Sequence, residues 1–313
     1  MTQNPESKTC PACGEAVRET WKICPACEAP LGGFRCPGCR LEVEANWKRC
    51  PECETRLICP ACGIRLSAGQ PHCPRCRSGG QAAAPEFVDP VTGMVFVRVP
   101  GGTFQMGDVL GAGIDNEQPV HEVRLDDFYM GRFAVTQAQW QCLMVENPSR
   151  FVGDDRPVEQ VSWQDAQAYI EALIQRNNGR YRFALPTEAQ WEYAARSGGR
   201  DEPYAGGSTV DTLAWYQASS DGVTHPVGQL SPNGLGLYDM SGNVWEWCAD
   251  TFHADAYKRH RSLNPAWIAD GEDRVIRGGS WNLDAWSTRC ARRFSYRTDF
   301  AGPALGFRLV RLD

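Results

Sequence analysis

Twelve cysteines crowd into residues 10–76, arranged as six CxxC pairs. Cys10, Cys13, Cys24 and Cys27 form one set, Cys36, Cys39, Cys50 and Cys53 a second, and Cys59, Cys62, Cys73 and Cys76 a third; each reads C-x2-C-x10-C-x2-C. Modules this short cannot fold by apolar burial alone. Two CxxC turns present four thiolates to one ion and complete a tetrahedral zinc site with no open position. Metal binding then supplies the folding energy, and such a site is structural rather than catalytic. The arithmetic predicts about three zinc ions per chain. "TWKICPACEAPL" and "NWKRCPECETRL" each place a Trp three residues before the third cysteine of their set, so the region is internally duplicated. Which pairs share a metal stays open, because a knuckle can join its other neighbour. His72, beside Cys73, reads as surface, since its set already has four cysteines.

These sets resemble zinc ribbons of the double-ribbon type. They divide the N-terminal part into ribbons at 1–30, 31–56 and 57–78, and the expected role of these ribbons is to recruit a protein partner. The opening "MTQNPESK" is polar, and no run of about 18 apolar residues occurs, so neither a signal peptide nor a membrane span is expected. Cysteines without an export signal suit metal binding in a reducing compartment, and the expected location is cytoplasmic. Residues 1–80 carry 11 Lys/Arg against 8 Asp/Glu, and residues 81–313 carry 21 against 30. Neither part is a strong basic patch, so charge does not indicate nucleic acid.

"RSGGQAAAPEFVDP" is Gly, Ala and Pro-rich and aperiodic, which predicts a linker over 79–90 and a domain over 91–313. "MVFVRVPGGTFQMGD" reads as two short strands. Three helix starts carry capping boxes: Thr136 with Gln139, Ser162 with Asp165, and Thr187 with Gln190. The second helix is expected to bury Trp163, Ala166, Ile170, Leu173 and Ile174 on one face. From about residue 197 onward the chain is mostly Gly, Pro, Asn and aromatic residues, with closing strands in "RVIRGGSW" and "LGFRLVRL". Few helices, a small mixed sheet and long loops predict an α+β fold.

"GGTFQMG", "PVEQVSWQDAQAY", "ALPTEAQWEYAAR", "SPNGLGLYDMSGNVWEWCAD", "RVIRGGSW" and "LGFRLV" follow one another in an order that resembles the formylglycine-generating, sulfatase-modifying family. The resemblance spans 91–313 and implies a variant of the C-type lectin fold. Catalytic members of that family hold copper(I) on two cysteines shortly after GGS[WY], and oxidise a substrate cysteine with dioxygen. Here Asn282, Leu283, Asp284, Ala285, Trp286, Ser287, Thr288 and Arg289 follow Trp281, and none is cysteine. A linear copper(I) site needs two soft ligands, so no copper is expected and no catalytic residue is assigned. Cys290 resembles a later, structural cysteine, while Cys142 and Cys248 are expected to be small buried hydrophobes. An iron-dependent branch of the fold needs a His triad. His121, His225, His253 and His260 show no such spacing, and His253 and His260 read as surface.

The segment after Trp281 also resembles the C-terminal cassette of retroelement-diversified lectin-fold proteins, in which Asn codons are re-mutated at their adenines. The constant frame would be Arg277, Gly278, Gly279, Ser280, Trp281, Arg289, Cys290, Ala291, Arg293, Gly306, Phe307 and Arg308. The variable set would be Asn282, Leu283, Asp284, Ser287, Arg292, Phe294, Ser295, Tyr296, Phe300, Pro303 and Ala304, every one reachable from an Asn codon. A surface that tolerates replacement cannot stabilise itself. Trp281 and Phe307 are therefore expected as core anchors, with Arg289, Arg293 and Arg308 on loop carbonyls that lack ladder partners. The expected function is non-catalytic binding of a protein or other macromolecular ligand at this surface; the alternative is a formylglycine-generating or related oxidase acting on a protein cysteine. An ordinary non-catalytic family member with a drifted loop fits the same letters. The resemblance also implies a calcium site from the Asp239 and Glu246 side chains and the Gly242 and Val244 carbonyls, or a Glu246 that pins the loop through backbone hydrogen bonds.

Overall fold

The computed structural model describes residues 86–312 and the backbone of four two-residue strands nearer the N-terminus. By contact the chain divides into Met1–Ala83 and Ala84–Asp313. In the N-terminal unit, β1 (Lys8–Thr9) pairs antiparallel with β2 (Ala16–Val17), and β3 (Phe34–Arg35) with β4 (Glu42–Val43). Along the sequence, one hairpin brackets Cys10 and Cys13 and the other Cys36 and Cys39. The cysteines themselves, and with them the three four-thiolate sites, lie outside the described residues.

The C-terminal unit opens with β5 (Phe87–Val88) and β6 (Val95–Val99), joined by a turn in which buried Asp89 accepts from Thr92 and Asn177. The stretch read as linker to residue 90 therefore ends earlier. Gly, Ala and Pro content hid a strand whose Phe87 packs on Phe96 and Tyr181. Next come β7 (Gly102–Met106), β8 (His121–Leu125), β9 (Phe128–Gly131), α1 (Gln137–Gln141), α2 (Trp163–Arg176), β10 (Arg182–Ala184) and α3 (Glu188–Ala195). β11 (Ala214–Trp215), β12 (Ser241–Gly242), β13 (Trp245–Thr251), β14 (Asp273–Arg277), β15 (Arg293–Arg297), β16 (Leu305–Gly306) and β17 (Val310–Leu312) complete the unit.

A five-stranded antiparallel sheet runs β10-β17-β9-β6-β5, and a four-stranded sheet runs β15-β14-β13-β16. β6 shows how the first is built. Val97 and Val99 face one core cluster while Phe96 faces the other, because successive side chains leave a strand on opposite sides. The two strands expected in "MVFVRVPGGTFQMGD" form, but they do not pair with each other: β7 pairs with β8. A Cβ at Gly101 would lie 2.5 Å from the Leu125 carbonyl oxygen, so the chain crosses the β8–β9 turn there and leaves the sheet.

All three capping boxes are closed in both directions, at Thr136, Ser162 and Thr187. α2 buries Ala166, Tyr169, Ile170 and Leu173. Trp163 and Ile174, expected on that face, pack half-buried at its rim, and Tyr169 goes in instead, stacked on Trp140 at 5.3 Å. β13 was hidden in a stretch that reads as aromatic loop. It is paired on both sides and almost continuously buried, so the alternation that marks a half-exposed strand is absent. No helix among the described residues is long and apolar enough to cross a membrane.

Candidate functional site

The segment that follows β14 makes its turn on two glycines in the left-handed region, Gly278 (φ +97°) and Gly279 (φ +72°). At Gly279 a Cβ would also meet the Ser287 carbonyl oxygen at 2.6 Å, so only glycine lets the returning loop pass. Asp284 then caps a 3-10 turn over Ala285–Thr288, accepting from the Ser287 N–H at 2.9 Å. β15 and the 298–304 loop complete the segment.

Its frame is held by charge taken out of water. Arg289 makes a two-pronged contact with Glu117, both at 2.9 Å, and donates to the Trp286 carbonyl. Arg293 does the same with Glu188 at 2.7 and 2.8 Å, and donates to the Asn116 carbonyl. Arg308 clasps Glu246 and reaches the carbonyls of Gly131 and Tyr238. Arg277 bridges Glu188 and Glu192 beneath them. The expected bonds to loop carbonyls are present, and each arginine also has a buried carboxylate that sequence reasoning did not supply. Such pairs tolerate burial only when both members are hydrogen-bonded, as they are here. The surrounding arginines hold the Glu188 carboxyl below its usual range, against the effect of burial.

Exposure separates the two sets of positions. Every frame residue is buried except Trp281, and every residue of the expected variable set is exposed or half-buried. Asn282, Asp284, Phe294 and Phe300 are exposed; Leu283, Ser287, Arg292, Ser295, Tyr296, Pro303 and Ala304 are half-buried. Leu283 and Tyr296 rest against the core edge. At Pro303 and Ala304 the structural bonds use the carbonyls, which accept from Trp281 and from the Trp245 N–H. Those bonds do not depend on which side chain is present. Aromatic side chains run across the surface, with Trp245 6.3 Å from Phe294, Phe294 5.5 Å from Tyr296, and Tyr296 stacked on Phe300 at 4.2 Å. Trp281 corrects the expectation of a core anchor. It is a half-buried bridge, edge-on to Phe151 at 5.3 Å, and belongs to neither core cluster. Phe307 is a true anchor, fully buried against Trp140 and Tyr169.

The calcium reading does not fit the residues present. Both Glu246 oxygens already accept from Arg308, and one also from the Trp191 indole at 2.7 Å. A guanidinium thus takes the charge that would attract a hard cation, and Glu246 pins its loop through these side chains rather than through backbone donors. Asp239 accepts from the Gly228 N–H, and burial pushes its carboxyl up to about 6. Gly242 and Val244 are buried beside it, Gly242 in a parallel bridge to Trp215.

Cys248 is buried as expected, and so is Cys290; burial pushes the Cys290 thiol up to about 12 and holds that of Cys248 well above its usual range. Cys142 is instead exposed, at the end of α1. His253 is exposed, but His260 is half-buried, its Nδ1 3.1 Å from His121 Nε2 and its pKa lowered to about 4 by burial. His225 stacks on Trp215. Among the described residues no group of three His, Cys, Asp or Glu is placed to hold a metal.

A family model described as "Sulfatase-modifying factor enzyme 1-like domain" matches residues 81–312. The chain belongs to that family. A second model, "Double zinc ribbon", matches residues 10–54, so the family domain is preceded by a double zinc ribbon covering the first two cysteine sets. The formylglycine-generating enzyme of Streptomyces coelicolor is 32% identical over 282 residues, spanning 68% of this chain and 87% of that enzyme. Among solved structures, Treponema denticola variable protein 1 superposes with a TM-score of 0.66 at 28% identity, covering 72% of this chain and 98% of its own. PvdO from Pseudomonas aeruginosa gives 0.66 at 28%, covering 74% and 99%. The fold is the family's C-type lectin-like α+β fold.

Proposed function

We propose that this family member is a non-catalytic binding protein whose C-terminal surface, residues 282–304, takes a macromolecular ligand, while the zinc ribbons recruit a protein partner. One observation carries the reading: the positions expected to vary all reach solvent, and the frame around them is locked by buried Arg–Glu pairs. Exposed aromatic and Arg side chains on a fixed backbone have the composition of a binding surface. Residues 282–289 contain no cysteine, and the buried thiols of Cys248 and Cys290 are poorly suited to ligate copper or attack a substrate. The likeness to a protein named as variable supports the same reading.

The test has two arms. The full chain, zinc-loaded, is incubated with a CxPxR peptide, copper(I) and oxygen and followed by mass spectrometry; formylglycine in the peptide would overturn the proposal in favour of an oxidase. In parallel, partners captured from a lysate are compared between the wild type and the Phe294→Ser, Tyr296→Ser, Phe300→Ser triple variant. A ligand of this surface is retained by the first and lost by the second, at an unchanged zinc content. A reverse transcriptase gene and an adenine-rich near-copy of the 3′ end in the neighbouring DNA would establish retroelement diversification.

A further inference from the structure

Arg292 stands apart from the arginines on either side of it. Arg289 has Glu117 and Arg293 has Glu188, each in a two-pronged contact. Among the described residues Arg292 has no such partner. Its Nη1 lies 3.9 Å from a Glu117 oxygen that Arg289 already holds at 2.9 Å, which is beyond hydrogen-bond reach. Nε and Nη1 are buried without an acceptor, and the side chain keeps 14% of its surface exposed. The guanidinium is instead held by ring faces, Trp286 at 4.8 Å and Phe294 at 5.7 Å. Those rings are themselves 37% and 41% exposed. Nε and Nη1 are closed off from outside, and the distant Glu117 carboxylate is already shared with Arg289, so it is the 14% of the side chain left exposed between two open rings that can take a further carboxylate.

The backbone beside it points to the kind of molecule that brings the other half. β15 is the outer strand of its sheet, and among the described residues no backbone bond outside the β14 ladder involves residues 293–296. A row of free N–H and C=O groups is matched by another polypeptide backbone and by little else. The surface also extends past the C-terminal segment. The Trp286 indole donates to the Ala112 carbonyl at 2.8 Å, and this ties in a β7–β8 loop that exposes Leu110 and Ile114.

We infer that the ligand is an extended segment of a protein partner, laid along the outer edge of β15 with an Asp or Glu carboxylate on Arg292 and apolar neighbours against Trp286, Phe294 and Ile114. This rests on the binding reading above and gives its ligand a chemistry. The probe is a displayed library of random dodecapeptides, panned on the immobilised full chain, with binders then measured as free peptides. Enriched sequences are expected to carry an acidic residue flanked by apolar ones. Replacing that residue by its amide, or making Arg292→Gln in the protein, is expected to weaken binding at least tenfold, while the melting midpoint of the variant stays within a degree or two of the wild type. Ile114→Asp should weaken the same peptides several-fold. The inference is overturned by binders without acidic enrichment, by binding that survives Arg292→Gln, or by no enrichment at all. Binders that ignore Arg292 but are lost in the Phe294→Ser, Phe300→Ser variant leave the binding reading standing. Binders that ignore both sink the reading as well.

Discussion

Replacing side chains on the two sides of the C-terminal segment should separate display from support. Phe307 is fully buried, edge-on to Trp140 and Tyr169 at 6.2 and 5.6 Å, and its carbonyl accepts from the Val135 N–H. Phe307→Ala leaves a cavity in rigid surroundings and should cost about 3–5 kcal/mol. In a domain of this size that corresponds to a fall in melting midpoint of roughly 6–20 °C, at about 2–4 °C per kcal/mol. Phe294 and Phe300 each keep 41% of their surface in water. Burying a whole Phe is worth about 1.5–3 kcal/mol, so the covered fraction sets an upper limit of roughly 1–2 kcal/mol for Phe→Ser. Solvent can enter where the ring was, so the measured cost should be about 1 kcal/mol or less. Leu283→Ser and Tyr296→Ser should fall between, since both side chains rest on the core edge. Trp281→Ala should also fall between, through loss of its 2.9 Å bond to the Pro303 carbonyl. The assay is calorimetric melting of single variants of the full chain. If Phe294→Ser or Phe300→Ser lowers the midpoint as far as Phe307→Ala, those rings are core and the surface is not built for exchange.

Three further outcomes are expected. Elemental analysis of freshly reduced protein should find about three zinc per chain, because twelve cysteines divide into three closed sites; one zinc or fewer refutes the count. Burial pushes the Asp250 carboxyl up to about 6 from 3.8, so the folded state binds its proton more tightly than the unfolded chain. Its contribution is then present below about pH 4 and lost as pH rises through about 6, by roughly 1.4 kcal/mol for each tenfold difference in proton affinity between the two states. Relative to wild type, Asp250→Asn should accordingly become more stable between pH 4 and 7, and a trend of the opposite sign would contradict the burial argument. Iodoacetamide at pH 8 should label exposed Cys142 and leave Cys248 and Cys290 unmodified in the native state, as read by peptide mapping.

Much of this architecture is legible in the letters because local signals agree with the tertiary structure. The three capping boxes are short-range chemistry, and the α2 face follows from spacing alone. The closing strand in "RVIRGGSW" forms as far as Arg277, and the two glycines that follow make the turn. The separation of frame from displayed positions comes from the resemblance to a diversified cassette, and burial follows the same division at every position but Trp281. What could not be read is the identity of buried partners. Glu188 and Glu192 sit four apart near the start of a helix, which looks like an ordinary solvated face, yet both carboxylates are fully inside. Glu117 lies in a Gly and Asp-rich loop that looks wholly exposed. The signal was on the other side of each pair, since a frame with this many arginines needs counter-charges from elsewhere. The resemblance implies calcium at Glu246, and the letters alone do not separate the two cases: an acidic residue in a tight loop looks the same whether its cation is a metal or Arg308.

The buried ion pairs also bear on how the chain is made. Glu117, Glu188, Glu192 and Glu246 are all synthesised before Arg277, Arg289, Arg293 and Arg308, which come from the later part at 277–308. Until that part leaves the ribosome, closing the core would strand carboxylates in an apolar interior at a cost of several kcal/mol each. The domain therefore cannot complete its core until residues 277–308 have been made. These later residues act as the key that permits folding: a chain that stops short of them lacks the counter-charges its buried carboxylates need, and should not close its core.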